Sequence, residues 1–319
     1  MSPLHTFQQM VVVMILIGVG FVSCRRKMLS GTGLQNLSKL TADVFNPAII
    51  FSSMVVHTEG QKPEFVGGIF LVAAAMFLVC IAVGWIFSRI LSGERTKRTV
   101  YHLMFIFTNL GFIGIPVVSS LLGERYVFYV AIYIFEFNVL FYTLGIFLID
   151  RIDGEKKAGS VSLFEKIKPL FNMGTLACAA ALLVFATGIK VPAVIGQPVS
   201  YLGDAAVPVS LIIIGANVAR QPDLGHIFTS RESYLFLFLK MLALPTVCVL
   251  VLKFLPMPET IRQVSMVMMG MPVASMPLVV LTERKIESEE CSGGIILTSI
   301  ASVLTLPAMA WIYQIIMGI

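Results

Sequence analysis

The feature that most constrains this fold is a series of apolar runs along the chain, each about as long as the roughly 20 residues that a helix needs to cross a bilayer. The runs do not alternate polar and apolar residues, as the strands of a membrane barrel do. Inside a bilayer every backbone N–H and C=O needs a partner within the protein, and a helix supplies those partners itself. The sequence therefore predicts an all-α integral membrane protein.

Composition supports lipid as the solvent for most of the chain. Hydrophobic residues make up 57% of the 319 residues and charged residues only 13%, whereas a soluble domain is about 25% charged. The net charge of +5 comes from residues in short loops between apolar runs. Charges in such loops set membrane topology, so they do not indicate a nucleic-acid partner.

Ten transmembrane helices are predicted, of which the second, seventh and ninth are interrupted by proline. The predicted spans are 4–24, 40–57, 65–90, 99–122, 127–149, 169–188, 199–219, 232–254, 260–282 and 290–316.

Lysine and arginine separate sharply between alternate loops, with seventeen in one set of loops and five in the other. The loops rich in positive charge lie on the cytoplasmic side, which places both termini outside. A wrong number of spans would place loops rich and poor in positive charge on the same side, so this separation supports ten spans. The first run is predicted to be a retained span rather than a signal peptide, because its positive residues follow the apolar stretch at Arg25, Arg26 and Lys27.

The chain also matches itself at an offset of 161 residues, at which Asp43 falls on Asp204 and Pro116 falls on Pro277. Each half holds five predicted spans, so the second half would enter the membrane inverted. Inverted repeats are typical of secondary transporters. The predicted units are the first repeat, 1–149, a cytoplasmic loop, 150–168, and the inverted repeat, 169–319.

Spans four and nine carry glycine and proline near their centres, in Thr108–Pro116 and Gly270–Pro277. Proline removes a backbone donor and breaks or kinks a helix, and paired broken helices are a pointer to a transporter's binding site. A half-helix that starts near Pro116 or Pro277 would present its positive N-terminal end to an anion. Kinks that serve only packing are the alternative. The candidate substrate-binding residues are Asn109, Gly111, Gly114, Pro116, Asn138, Pro272, Ser275 and Pro277, with Asn46 and Asn217 as further amide donors.

Four ionisable residues within the spans are candidates for coupling or charge compensation. Glu136 is either a proton or ion site or a protonated structural acid. Lys240 either snorkels to the headgroups, neutralises a substrate carboxylate or pairs with Glu136. Asp43 and Asp204 either cap helices or act at an internal interface.

The sequence indicates no enzyme, metal site or cofactor. The five cysteines lack CxxC spacing, and the His-Glu-x-x-His and Gly-x-Gly-Asp motifs of intramembrane proteases are absent. A coupling ion, H⁺ or Na⁺, is left open.

The sequence resembles the auxin efflux carrier (PIN-like) family of plants and bacteria. The resemblance rests on Asn109 to Pro116, on Pro272 to Val279 followed by Glu283, on Tyr142-Thr143-Leu144 and on Thr305-Leu306-Pro307. The length is similar to that of bacterial members described as malonate or malate permeases. The resemblance implies a scaffold of spans one, two, six and seven, and a mobile part of the other six spans that moves an organic anion like an elevator.

The sequence thus predicts a secondary transporter for a mono- or dicarboxylate, malonate-, malate- or auxin-like, in a bacterial plasma membrane. A proton- or sodium-coupled cation antiporter and a transporter-like receptor are the alternatives. The expected partners are the anion and membrane lipid. Substrate identity, transport direction and a homodimeric state stay open.

Overall fold

A computed structural model of the chain describes residues 3–29, 31–55, 66–153, 173–189, 191–220, 230–286 and 289–318. In this part of the chain nearly every residue is helical. The α-helices are α1 (Pro3–Arg25), α2 (Gly31–Leu40), α3 (Asn46–Val55), α4 (Val66–Leu91), α5 (Arg95–Ile106), α6 (Ile115–Leu122), α7 (Val127–Leu140), α8 (Ile146–Asp153), α9 (Met173–Thr187), α10 (Ala193–Ala219), α11 (Arg231–Phe238), α12 (Leu244–Phe254), α13 (Glu259–Met269), α14 (Met276–Glu283) and α15 (Glu289–Met317). Wider π-helical turns connect some of these α-helices. Thr41–Phe45 joins α2 to α3, Leu110–Gly114 leads into α6, Phe141–Gly145 joins α7 to α8, and Leu239–Ala243 joins α11 to α12.

Helix is present at each predicted span, and several helices are long and apolar enough to cross a bilayer. By length and composition the candidates are Gly67–Leu91, Glu124–Ile152, Ala193–Ala219, Arg231–Phe254 and Glu289–Met317, with shorter apolar helices at Val11–Arg25, Leu110–Leu122 and Met173–Val184. The chain is therefore an all-helical, multi-pass membrane protein.

Several helices extend beyond the predicted spans. The helix of span two begins at Gly31 rather than at residue 40, because a polar helical segment precedes the apolar run. The helix of span seven begins at Ala193 and contains Pro208 without a break, because one proline removes a single hydrogen bond and a long helix keeps the others. Span five remains helical to Asp153, and the rest of the predicted loop, 154–168, lies outside the described residues.

One set of helices, α1, α2, α3, α9 and α10, packs together, and we name it the support group. Its closest approach is between α1 and α10. A Cβ atom on Gly20 would lie only 2.0 Å from the Ile212 carbonyl oxygen, and one on Gly215 only 1.8 Å from the Ile17 carbonyl oxygen. Small residues that let two helix backbones touch are a common basis of helix pairing in membranes.

The remaining helices, α4 to α8 and α11 to α15, form a second set that we name the crossing group. Two ion pairs join members of this group at their polar ends. Lys97 Nζ lies 2.8 Å from a Glu290 carboxylate oxygen, and Arg284 lies 2.7 Å from Asp150. The two groups touch each other mainly where α1 packs on α15 and where α9 packs on α7.

Candidate functional site

The crossing group contains two interrupted helices that meet at their breaks. α5 ends at Ile106 and helix resumes at Leu110, while α13 ends at Met269 and α14 begins at Met276. The segments in between, residues 107–109 and 270–275, are named the crossing. They run antiparallel, with a single β-bridge between Thr108 and Val273.

Backbone hydrogen bonds fix the crossing. The Asn109 N–H donates to the Pro272 carbonyl at 2.7 Å, and the Ala274 N–H donates to the Phe107 carbonyl at 3.0 Å. Thr298 in α15 accepts a bond from the Val273 N–H at 3.1 Å. Unpaired backbone groups in a membrane interior are costly, so these bonds make an irregular stretch of chain tolerable at this depth.

The two helices that leave the crossing begin differently. Pro277 is the second residue of α14, as the sequence predicts for a helix start. Pro116 is the second residue of α6, but a π-helical turn already begins at Leu110. The expectation that this half-helix starts near Pro116 is therefore wrong. The Asn109 side chain accepts a hydrogen bond from the Phe112 N–H at 3.1 Å and starts the helix earlier.

Lys240 holds the end of α5 that faces the crossing. Its ammonium group is fully buried and donates to the Phe105 carbonyl at 2.9 Å. The C-terminal carbonyls of a helix are unpaired and carry partial negative charge, so a cation is stabilised there. Lys240 therefore neither snorkels nor pairs with Glu136. The structure contradicts both expectations, because the broken helix supplies a local acceptor.

One cavity beside the crossing, of about 280 Å³, is named the Asp43 cavity. Asp43 is the one charged side chain among its described lining residues. Helices of both groups contribute, and much of the wall is apolar. The lining includes Asp43, Asn46, Ile50, Thr108, Asn109, Gly111, Phe112, Ile134, Phe137, Asn138, Tyr142, Met173, Ser275 and Met276.

The Asp43 cavity is lined by buried amide side chains without partners in the described part of the chain. Asn46 is 8% exposed and its side-chain oxygen is buried without a hydrogen-bond partner. Asn138 is 6% exposed, and its side chain makes no hydrogen bond to another described residue. The Asn109 oxygen is occupied by the Phe112 N–H, which leaves its amino group available. Buried polar groups are normally paired, so these amides indicate a site that accommodates a polar ligand.

A second cavity, of about 490 Å³, is named the Arg220 cavity. Arg220 is the one charged side chain among its described lining residues. It shares Asn109, Phe112 and Ser275 with the Asp43 cavity. The other lining residues include Ser38, Ile213, Asn217, Leu278, Ser292, Ile295 and Ser299.

Both cavities reach the helix ends next to the loops rich in positive charge. Ser38 precedes Lys39, Arg220 follows the last residue of α10, and Met173 is the first residue of α9. These ends belong to one predicted side of the membrane, the cytoplasmic side. Both cavities therefore extend from the crossing toward the side that the loop charges predict to be cytoplasmic.

The structure separates the candidate substrate-binding residues into two sets. Asn109, Gly111, Asn138 and Ser275 line the Asp43 cavity. Gly114 and the three prolines are buried behind it, and a Cβ atom on Gly114 would lie 3.1 Å from the Met268 methyl group. The prolines concerned are Pro116, Pro272 and Pro277.

The four ionisable candidates lie in different parts of the structure, and only Asp43 lines a cavity. Asp43 lies within a π-helical turn and Asp204 lies in the middle of α10, so neither caps a helix end. The capping expectation is wrong because both helices begin many residues earlier than the sequence suggests. Glu136 is partly buried and makes no hydrogen bond or ion pair within the described part of the chain; like Asp204 and Lys240, it lines neither cavity.

One residue of the site carries no signal in the sequence. Thr298 binds the crossing from a distant helix, is ordinary in composition and spacing, and reaches the crossing only because α15 packs against the breaks. Phe112 and Tyr142 also line the Asp43 cavity, but they lie within the segments Asn109–Pro116 and Tyr142–Leu144 that the sequence singles out.

Comparison with known proteins identifies the family. Residues 5–310 match the family model described as membrane transport protein. The chain belongs to this membrane transport protein family. The match confirms the resemblance to the auxin efflux carriers, and it indicates a transporter rather than an enzyme. The chain is also similar to an uncharacterized transporter of Methanocaldococcus jannaschii, at 24% identity over 312 residues that cover 94% of this chain and 96% of the relative.

Proposed function

We propose that this member of the membrane transport protein family is a secondary carrier of a small organic anion, a mono- or dicarboxylate. The anion binds at the crossing, where the amide groups of Asn109 and Asn138 and the hydroxyl of Ser275 contact it. The observation that carries the proposal is that the two cavities meet at Asn109 and Ser275, beside two helix starts.

The electrostatics of the crossing favour an anion. The starts of the π-helical turn at Leu110 and of α14 both face the crossing, and helix N-termini carry partial positive charge. Ser275 is exposed in the cavities, and its hydroxyl has no hydrogen-bond partner in the described part of the chain. Amide and hydroxyl donors bind a carboxylate without adding another charge to the membrane interior.

We propose ten spans arranged as two inverted repeats of five, with spans four and nine broken. Two features of the fold support this arrangement. The breaks fall in corresponding spans, at residues 107–109 and 270–275. The support group takes its helices from predicted spans one, two, six and seven, two spans from each repeat. Inverted repeats let a carrier alternate between two openings by exchanging the shapes of its halves.

The proposed motion is that of an elevator, in which the crossing group slides against the support group and carries the anion. Both cavities lie between residues of the two groups, so such a motion would close them on one side and open them on the other. Both termini lie outside a bacterial plasma membrane in this proposal. Protease digestion of a tag on either terminus from the cytoplasmic side of the membrane would contradict that orientation.

Transport by purified protein in liposomes tests the proposal. Asn109→Ala removes a donor to the anion, and a hydrogen bond to a charged group is worth about 1.5–3 kcal/mol, so carboxylate uptake should fall at least about tenfold. Asn36→Ala is the matched control, because Asn36 is exposed on α2 and lines neither cavity. Equal uptake by the Asn109→Ala and Asn36→Ala variants would show that the crossing does not bind the anion.

A further inference from the structure

Three sulfur-bearing side chains meet inside the crossing group, away from both cavities. Cys80 in α4, Cys248 in α12 and Met269 at the end of α13 come from three helices that pack on one another. Each of these residues is at most 1% exposed, and none is among the described lining residues of the Asp43 cavity or the Arg220 cavity. The cluster is therefore separate from the proposed substrate site.

The sulfur atoms of this cluster lie close to one another. The Cys80 thiol donates a hydrogen bond to the Met269 thioether at an Sγ–Sδ distance of 3.5 Å. The Cys248 thiol lies within hydrogen-bonding reach of the Cys80 thiol. Three sulfur ligands at about 2.3 Å from a metal ion in their plane are about 4 Å apart. A shift of roughly half an ångström between Cys80 and Met269 would therefore admit such an ion.

A buried cation lies beside the two thiols. The ammonium group of Lys240, in the π-helical turn before α12, is fully buried and lies close enough to Cys80 and Cys248 to interact electrostatically with both. Its hydrogen bond to the Phe105 carbonyl stabilises the positive charge but does not neutralise it. A buried charge is costly unless it is compensated, so Lys240 favours a neighbouring group with one negative charge.

Ligand type and charge together select the metal. Thiolate and thioether ligands favour soft ions such as Cu(I). When Cu(I) binds two cysteines, the two thiols release two protons, and the ion with its two thiolates carries one negative charge. The Lys240 ammonium balances that charge. Zn²⁺ with two thiolates would be neutral and would leave Lys240 uncompensated, and Zn²⁺ prefers four ligands.

We infer that Cys80, Cys248 and Met269 form a binding site for Cu(I), with two thiolates and one thioether as ligands and Lys240 as the balancing cation. The spacing of the cysteines in the sequence does not indicate this site, because its ligands come from distant parts of the chain. Met269 directly precedes the crossing, so a bound ion ties the end of α13 to α4 and α12. The inference does not depend on carboxylate transport.

Copper binding by the purified, reduced full-length protein tests the inference. The protein should take one Cu(I) per chain from its complex with the chelator bicinchoninate, and binding should raise the melting temperature. X-ray absorption of the bound copper should show sulfur neighbours at about 2.3 Å. No transfer of copper from the chelator, or copper bound only to nitrogen and oxygen, would overturn the inference without the use of any variant.

Substitutions then assign the ion to the cluster. Cys80→Ser or Cys248→Ser should weaken Cu(I) binding at least about hundredfold, since loss of an outer partner of a metal ligand already costs about 10–100-fold. Met269→Leu should weaken binding about tenfold and reduce the sulfur neighbours of the copper from three to two. Cys291→Ser is the matched control, because Cys291 is equally buried and belongs to α15 rather than to these three helices, and it should leave binding unchanged.

The outcomes separate this inference from the proposed function. Copper binding that is unchanged in Cys80→Ser and Cys248→Ser, or weakened as much in Cys291→Ser, would place the ion elsewhere and overturn the inference. Melting curves without metal identify a variant that fails to fold, and Met269→Leu, which keeps the side-chain volume, then carries the comparison. Carboxylate transport by the copper-free protein tests the proposed function by itself.

Discussion

The two cavities that meet at the crossing share Asn109, Phe112 and Ser275 and differ in charge. The Asp43 cavity carries one carboxylate and two buried, unpaired amides, whereas the Arg220 cavity carries one exposed guanidinium and a row of serines. A buried, unpaired amide has a large effect on ligand binding, and an exposed charge has a small one. The comparison suggests that the Asp43 cavity selects the ligand and that the Arg220 cavity attracts anions toward the crossing.

Of the substitutions that compare the two cavities, the largest loss of carboxylate affinity is expected at Asn138, in the Asp43 cavity. Asn138→Leu keeps the volume and removes a buried donor that has no other partner in the described part of the chain. The affinity for carboxylates should fall about tenfold, with little change in the melting temperature of the protein without ligand. Ser299→Ala in the Arg220 cavity is the control, because the Ser299 hydroxyl already donates to the Ile295 carbonyl. An equal loss of carboxylate affinity in the two variants would show that the two cavities do not differ in ligand binding.

A smaller loss of carboxylate uptake is expected from a substitution of Arg220. Arg220→Gln removes an exposed positive charge from the larger cavity. Carboxylate uptake at low ionic strength should fall about two- to threefold, and the difference from wild type should disappear at high salt, because salt screens exposed charges. A tenfold loss that persists at high salt would mean that Arg220 contacts the bound anion, which would reverse the roles assigned to the two cavities.

Much of the fold follows from the sequence, because apolar run length and loop charge directly reflect the bilayer. The break in span nine was also predictable, since Pro272 and Pro277 remove backbone donors in the middle of an apolar run. A break in span four was predicted as well, but it lies at residues 107–109, before Pro116, where Asn109 starts the next helix. The residues next to a break were therefore candidates for substrate binding, and Asn109, Gly111 and Ser275 do line the Asp43 cavity.

The partners of the broken ends could not be predicted, because they depend on tertiary packing. Lys240 is far from Phe105 in the chain, and only the packed helices place its ammonium on that carbonyl. The π-helical turn at Thr41–Phe45 likewise has no simple sequence signature. It turns Asp43 into the cavity, whereas the corresponding Asp204 lies in a regular helix outside both cavities.

The central claim is that the bound anion occupies the crossing, and Ser275 allows the most direct test because it is exposed in both cavities. Ser275→Cys should be modified by a membrane-impermeant thiol reagent from the cytoplasmic side. The buried native cysteines Cys80, Cys178, Cys248 and Cys291 and the partly exposed Cys24 make the unmodified chain a necessary control. Saturating concentrations of a transported monocarboxylate should slow this modification at least about tenfold, since a ligand protects the residues that it covers. An unchanged rate of modification would contradict the claim that the anion binds at the crossing.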